Sequence, residues 1–212
     1  MTRLLVVLDV DSTLIENEAI DLLADEAGTG HLVAAITERA MAGELDFAAS
    51  LAERVATLRG LDAGCCSRVG ARITLTTGAR ELIEAVHDAD GVVGVVSGGF
   101  HELLDPIAAD LDLDHHRANR LEAIDGRFTG RTVGPVIDSA AKAQALREWA
   151  DVRDVPLSRT VAIGDGANDL DMLGVAGLSV AFDAKPIVRR AADLCIVNRD
   201  LSAVLPLLGL RG

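Results

Sequence analysis

The run Leu4-Leu5-Val6-Val7-Leu8 leads straight into Asp9-Val10-Asp11, followed by Ser12 and Thr13. Five consecutive apolar residues bounded by polar ones suit a short strand buried on both faces, as in a parallel sheet. Side chains alternate along a strand, so Asp9 and Asp11 share one side just past its end. Two carboxylates held that close do not both ionise easily in a dry site unless a cation intervenes. Such a pair suits a nucleophile beside a general acid, or a divalent metal. The same residues also suit a plain Asp-rich turn capped by Ser12 or Thr13, so the rest of the chain has to decide.

Residues 16–27 are predicted helical, with Gly28 as the stop. A second helix, capped by Thr29, is expected to reach Ala42 and end at Gly43. A third, capped by Asp46, is expected over 47–58 and ends at Gly60, and a short fourth follows Asp62. From Gly78 onward the pattern changes to alternating helix and strand. A buried strand over 91–96 opens into Ser97-Gly98-Gly99-Phe100, and a helix disturbed by Pro106 starts at His101. Asp125-Gly126 between two apolar stretches reads as a tight hairpin. Ser139 is expected to cap a helix through Ala150. A third buried strand, 161–163, ends in Gly164-Asp165-Gly166-Ala167-Asn168-Asp169. Strands over 178–182 and 194–197, with a helix over 185–192 between them, complete the chain. The fold class expected is α/β: a doubly wound parallel sheet built from 1–14 and 76–212, with a small helical cap, 15–75, inserted after the first strand.

Lys plus Arg number 20 against 33 Asp plus Glu, a net charge of −13. That balance argues against nucleic acid as the main partner. It also means that an anionic substrate needs local cations or a metal at its site. No apolar run approaches the roughly twenty residues that span a bilayer, and the apolar start is too short for a signal peptide. Cys65, Cys66 and Cys195 are odd in number and lack C-x-x-C spacing, which fits reduced thiols. A cytoplasmic protein with no membrane or nucleic-acid partner is therefore expected; monomer and homodimer both remain open.

Ligands of open parallel sheets bind beyond the carboxyl ends of the strands. Three polar clusters fall at that edge: Asp9 with Asp11, Ser97-Gly98-Gly99, and Asp165 with Asn168 and Asp169. Each alone has a plainer explanation as a turn or a helix cap. Together they offer hard oxygen donors suited to Mg²⁺, and a hydroxyl with glycine backbone amides suited to a phosphate. Lys142 shares a helical face with Leu146 and Trp149, so it either snorkels to solvent or reaches an anion in the cluster. Phe47, Leu51, Arg54 and Leu58 likewise share one face. A guanidinium among core-facing residues needs an anion, either Glu18 as an internal partner or a ligand.

The runs Asp9-Val10-Asp11-Ser12-Thr13, Ser97-Gly98-Gly99, Lys142 and Gly164-Asp165-Gly166-Ala167-Asn168-Asp169 resemble, in order and spacing, the four signatures of the haloacid dehalogenase-like phosphatases. Within that superfamily the chain is similar to the phosphoserine phosphatase branch, over essentially its whole length. Glu18, the Phe47 to Val55 stretch of the cap and Val95-Val96 before Ser97 add to the likeness. Val10 departs from the Phe or Met often found there; its side chain should point away from the nucleophile. Some relatives carry an amino-terminal regulatory domain, and amino-acid sensing by one is not expected here.

The resemblance implies a magnesium-dependent hydrolase of O-phosphoserine, acting at the last step of serine biosynthesis. Asp9 is then the nucleophile and Asp11 the general acid and base. Mg²⁺ is held by Asp9, the Asp11 carbonyl and Asp165, with Asp169 either a direct ligand or one step behind. Ser97, Gly98, Gly99 and Lys142 hold the phosphoryl oxygens, and Asn168 orients Asp11, the phosphate or Lys142. Glu18, Phe47 and Arg54 meet the amino-acid part. Phosphotransfer to another hydroxyl compound, turnover of a different phosphorylated metabolite, and a non-catalytic binding role are the alternatives.

Overall fold

β1 (Leu5–Leu8) is the central strand of a seven-stranded sheet in a computed structural model that describes residues 4–211. It pairs in parallel with β2 (Val92–Phe100) on one side and β5 (Thr160–Gly164) on the other. Outward from β2 lie β3 (His115–Ile124) and the antiparallel β4 (Arg127–Val133). Outward from β5 lie β6 (Leu178–Phe182) and β7 (Leu194–Ile196), both parallel. The sheet is thus parallel except for one edge strand.

Alternation along β1 splits the core into two layers. Val6 and Leu8 point to one face, against α5 (Ala79–Asp88), Leu104 of α6 (His101–Asp110) and the carboxyl-terminal 3₁₀ segment. Leu5 and Val7 point to the other, against Leu146 and Trp149 of α7 (Ser139–Val152), Met172 of α8 (Leu170–Val175) and Val188 of α9 (Pro186–Ala191). Coverage on both faces is what an all-apolar strand requires.

A third apolar cluster joins α1 (Ala19–Ala27), α2 (Gly30–Met41), α3 (Phe47–Ala56) and α4 (Cys66–Gly70) to Phe100, Leu103, Leu121 and Phe128. These helices therefore rest on the β2–β3–β4 side of the sheet. Asp46 caps α3 by accepting from the Ala49 N–H at 2.7 Å. Gly28 ends α1 in the left-handed conformation.

Several elements differ from the sequence expectation. α1 starts at Ala19, not residue 16, because Glu16 and Asn17 are tied to the returning chain. Glu16 N–H donates to Thr74 O, and Asn17 Oδ1 accepts from Thr74 N–H. Asp138, not Ser139, caps α7, accepting from the Ala141 N–H at 2.9 Å. β2 does not stop at Val96 but runs on through Ser97-Gly98-Gly99 to Phe100. β3 begins at His115, well before the hairpin strand legible in sequence. Its hairpin to β4 turns on Asp125 and Gly126, both with positive φ, as a type I′ turn demands.

Candidate active site

β1 ends at Leu8, and the Asp9 N–H still donates to Ile163 O at 2.9 Å. The chain then turns through Val10–Leu14, a wide π-type turn with Ser12 at φ 59°. Asp9 is 4% exposed and Val10 packs into the core, away from Asp9. The turn brings Asp11 back over the strand end. Its Oδ1 accepts from the Ala19 N–H at 2.6 Å and its Oδ2 from the Ser97 hydroxyl at 2.9 Å. One carboxylate is thereby fixed from both the core and the start of α1.

Lys142 reaches the same place from α7. It has no exposed surface, and its Nζ donates to Asp9 and, at 2.7 Å, to Asp169 Oδ1. Its face is shared with the buried Leu146 and Trp149, so of the two fates open to it the ammonium takes the anion. Asp169 is also fully buried, and its Oδ2 accepts from the Asp165 and Gly166 N–H groups. Oxygens of Asp9, Asp165 and Asp169 all lie within 4.8 Å of one another.

The electrostatics follow from that crowding. Burial first, and Asp169 second, push the Asp9 carboxyl well above the usual range, with Lys142 opposing. Burial and Asp169 lift Asp165 to about 6. Burial raises Asp11 despite its two hydrogen bonds. Burial pulls Lys142 down, but Asp169 and Asp9 more than offset it, and the ammonium stays charged. Three carboxylates thus share one buried ammonium, and when all three are ionised two negative charges stand unbalanced there. An all-oxygen donor set with that deficit fits a divalent cation.

The glycines beside Ser97 are required by space. A Cβ on Gly99 would stand 2.8 Å from Asp11 Oδ2, and one on Gly98 would stand 2.9 Å from the Phe47 ring. The Gly99 N–H is taken by Ser97 Oγ at 2.7 Å. Asn168 Nδ2 lies 3.9 Å from the Cβ direction of Gly98. Among the described residues it makes no hydrogen bond to Asp11 or Lys142.

Helices α1 and α3 contribute the remaining polar groups. Glu18 accepts from the Ser12 hydroxyl at 2.7 Å. Solvent reaches its side chain, yet the surrounding protein, and then Asp11, lift its carboxyl to about 7. Arg54 is half-buried, and its Nε donates only to Ser50 O at 3.3 Å. It feels Glu18, Asp21 and Asp11 electrostatically. Among the described residues it forms no ion pair, so Glu18 is not its internal partner. Asp9, Asp11, Ser97, Lys142, Asp165 and Asp169 therefore meet at one sheet edge, faced by Glu18, Phe47 and Arg54. Asn119, which sequence reasoning passed over, lies behind Gly98: its Nδ2 donates to the Gly98 carbonyl at 2.8 Å.

Residues 6–174 match the family model of the haloacid dehalogenase-like hydrolases. The chain is 51% identical over 208 residues to the phosphoserine phosphatase SerB2 of Mycobacterium tuberculosis, covering 98% of this chain and 51% of that one. It is 50% identical over 204 residues to the phosphoserine phosphatase of Streptococcus thermophilus, covering 96% of this chain and 95% of that one. The chain thus spans about half the length of some curated relatives and nearly all of others. A solved phospho-aspartyl intermediate analogue of phosphoserine phosphatase superposes with a TM-score of 0.93 at 43% identity, covering 98% of this chain and 100% of that one. With these matches and the four signatures meeting at one sheet edge, the chain belongs to the haloacid dehalogenase-like hydrolase family.

Proposed function

We propose that this chain hydrolyses O-phosphoserine to serine and phosphate, as a magnesium-dependent phosphoric monoester hydrolase at the last step of serine biosynthesis. The observation that carries the substrate is Arg54. A half-buried guanidinium that forms no ion pair among the described residues stands on the helical side of a site whose floor is built for a phosphate. A zwitterionic phosphate ester fills both needs, with its carboxylate at Arg54 and its ammonium at Glu18. The names of the relatives support the same substrate.

Asp9 attacks phosphorus in line, so that its carboxylate oxygen gains the P–O bond as the serine oxygen loses it. Asp11, carrying a proton, gives it to the departing serine oxygen. The same carboxylate then takes a proton from the water that cleaves the aspartyl-phosphate, returning Asp9 to its starting state. The Gly98 N–H and Lys142 hold the phosphoryl oxygens; Ser97, whose one proton goes to Asp11, borders them together with Asn168. Asp9, the Asp11 carbonyl, Asp165 and Asp169 would hold Mg²⁺. When bound, it neutralises charge on the transferring oxygens. Residues 15–75 cap a core drawn from 1–14 and 76–212, of which 1–3 and 212 lie outside the described residues, and Phe47 closes against Gly98 to keep out bulk water. The three free thiols support a cytoplasmic location. Among the described residues, no helix is long and apolar enough to cross a membrane.

Phosphate release from a panel of phosphorylated metabolites, with and without Mg²⁺, tests this function. Phosphoserine should lead the panel and turnover should vanish in chelator; a better substrate without a carboxylate would overturn the assignment.

Two narrower results are expected. Arg54→Ala should lower kcat/KM for phosphoserine on the order of a hundredfold, as suits a lost charge-assisted two-point contact. A phosphate ester without a carboxylate should lose far less; equal losses would make Arg54 structural. Glu18 takes up a proton as the pH falls through about 7 and then no longer attracts an ammonium. The ratio of kcat/KM for phosphoserine to that for an ester lacking the ammonium should therefore fall below pH 7. In Glu18→Gln the ratio should be low and flat with pH.

A further inference from the structure

β2 and β3 pair at Val96 with Arg117 and next at Phe100 with Asn119. Three residues of β2, Ser97, Gly98 and Gly99, thus face a single residue of β3, and the regular ladder is interrupted between them. Two successive glycines have wide freedom in φ and ψ. Some other contact has to choose one conformation for them. Asn119 is 1% exposed and fills this role by position. Its Oδ1 accepts from the Ile137 N–H at 2.9 Å, and its Nδ2 donates to the Gly98 carbonyl at 2.8 Å. The other end of that same peptide, the Gly99 N–H, donates to Ser97 Oγ at 2.7 Å. The Ser97 hydroxyl donates in turn to Asp11 Oδ2 at 2.9 Å. Every donor in this chain points the same way, from Ile137 through Asn119, the Gly98–Gly99 peptide and Ser97 to Asp11.

We infer that Asn119 is a positioning residue for Asp11, acting through the Gly98–Gly99 peptide and the Ser97 hydroxyl; its importance for turnover rests on the proposed role of Asp11. The physical reason lies in what a flip of that peptide would do. It would present the Gly98 oxygen, in place of the Gly99 N–H, to Ser97. That hydroxyl has one proton, and it would then have two acceptors competing for it. Asp11 would lose a hydrogen bond that fixes its orientation. The Asn119 amide holds the Gly98 oxygen on the β3 side and so prevents this. Bonds aligned in one direction also polarise one another, which strengthens the terminal link to Asp11.

A double-mutant cycle with Asn119→Ala and Ser97→Ala tests the inference. Asn119→Ala should lower kcat for phosphoserine by about 10- to 100-fold with little change in KM, the usual effect of a small misplacement at a reacting centre. In the Ser97→Ala background the same change should cost less than about threefold further. Losses that simply multiply would overturn the inference. If Asn119→Ala folds poorly, Asn119→Asp serves instead. Ionised, at the upper end of the pH range, it keeps the acceptor for Ile137 but has no proton for Gly98, and the same coupling is expected. An activity-independent measurement separates this inference from the proposed function. Hydrogen exchange at the Gly99 amide should accelerate at least tenfold in either Asn119 variant, while the Val95 amide keeps its protection. Unchanged Gly99 exchange would overturn the inference whatever the substrate proves to be. Faster exchange and coupled losses on an aryl phosphate, in an enzyme inert toward phosphoserine, would uphold it and reject the serine reading alone.

Discussion

Asp9→Asn should abolish turnover, lowering kcat on the order of 10⁵-fold or more, the scale on which removal of a covalent nucleophile acts. The substitution is nearly isosteric, and Lys142 keeps its bond to Asp169, so the fold should persist. Its stability should in fact rise in the absence of metal. Burial and Asp169 hold the Asp9 carboxyl well above its ordinary range, so its ionisation opposes folding at neutral pH. That penalty is absent below the unfolded-state value near 4, grows as the pH rises from there toward the raised folded-state value, and is constant above it. A neutral amide never incurs it. Thermal melts in chelator at pH 7.5, beside rapid-quench assays, check both halves. A beryllium fluoride complex, which mimics a carboxyl-bound phosphoryl group, should bind the wild type and not the variant. Substantial turnover in a well-folded Asp9→Asn would end the assignment of Asp9 as nucleophile.

The second large effect divides the labour between the aspartates. Asp11→Asn keeps the backbone carbonyl and an oxygen to accept from the Ala19 N–H, but it loses the proton that the leaving group needs. Serine leaves as a poor alkoxide, so the first step on phosphoserine should slow on the order of 10³- to 10⁴-fold. An aryl phosphate leaves without much help, and its first step should slow by tenfold or less. The water-attack step is common to both substrates and should slow equally, so the aryl substrate should show a burst of phenol followed by slow turnover. Equal first-step losses on the two substrates, measured by quench flow, would show that Asp11 does not supply the proton.

The residues that set these expectations differ in how plainly the sequence announced them. Asp9 and Asp11 were legible because an apolar run with no polar break has few fates other than a buried central strand. Lys142 was legible only as one of two fates, since its helical face is otherwise apolar and an ammonium drawn into the core needs an anion. β3 was hidden for the opposite reason. His116 and Arg120 reach Asp105 on α6, while Arg117 reaches Glu148 on α7. The strand is thus stabilised by cross-element polar pairs that leave no alternating apolar pattern. Asn119 was hidden more deeply. Its role depends on a register shift between two strands, a relation between distant segments that no local pattern carries. The cap of α7 was missed by one residue because Asp138 and Ser139 are both able caps, and only the turn geometry chooses between them. Arg54 was legible as an oddity on a core-facing stripe. What the sequence left open, an internal partner or an outside one, the fold narrows by keeping Glu18 on Ser12 instead.

The concealment of Lys142 has a practical side. Only two lysines occur in the sequence, Lys142 and Lys185. With the first sealed in the core, Lys185 is the sole side-chain amine open to solvent. It precedes α9, where its backbone N–H donates to the Asp165 carbonyl at 3.0 Å. Apart from an α-amino group, acylating dyes and amine-directed cross-linkers will therefore mark one side chain, at the rim of the acidic cluster. A fluorophore placed there would report on that loop from a defined position without any engineered cysteine. The same chemistry used to tether the protein to a solid support would turn its reaction face toward the surface. Attachment through Cys195, an exposed thiol on β7, offers a different orientation for comparison.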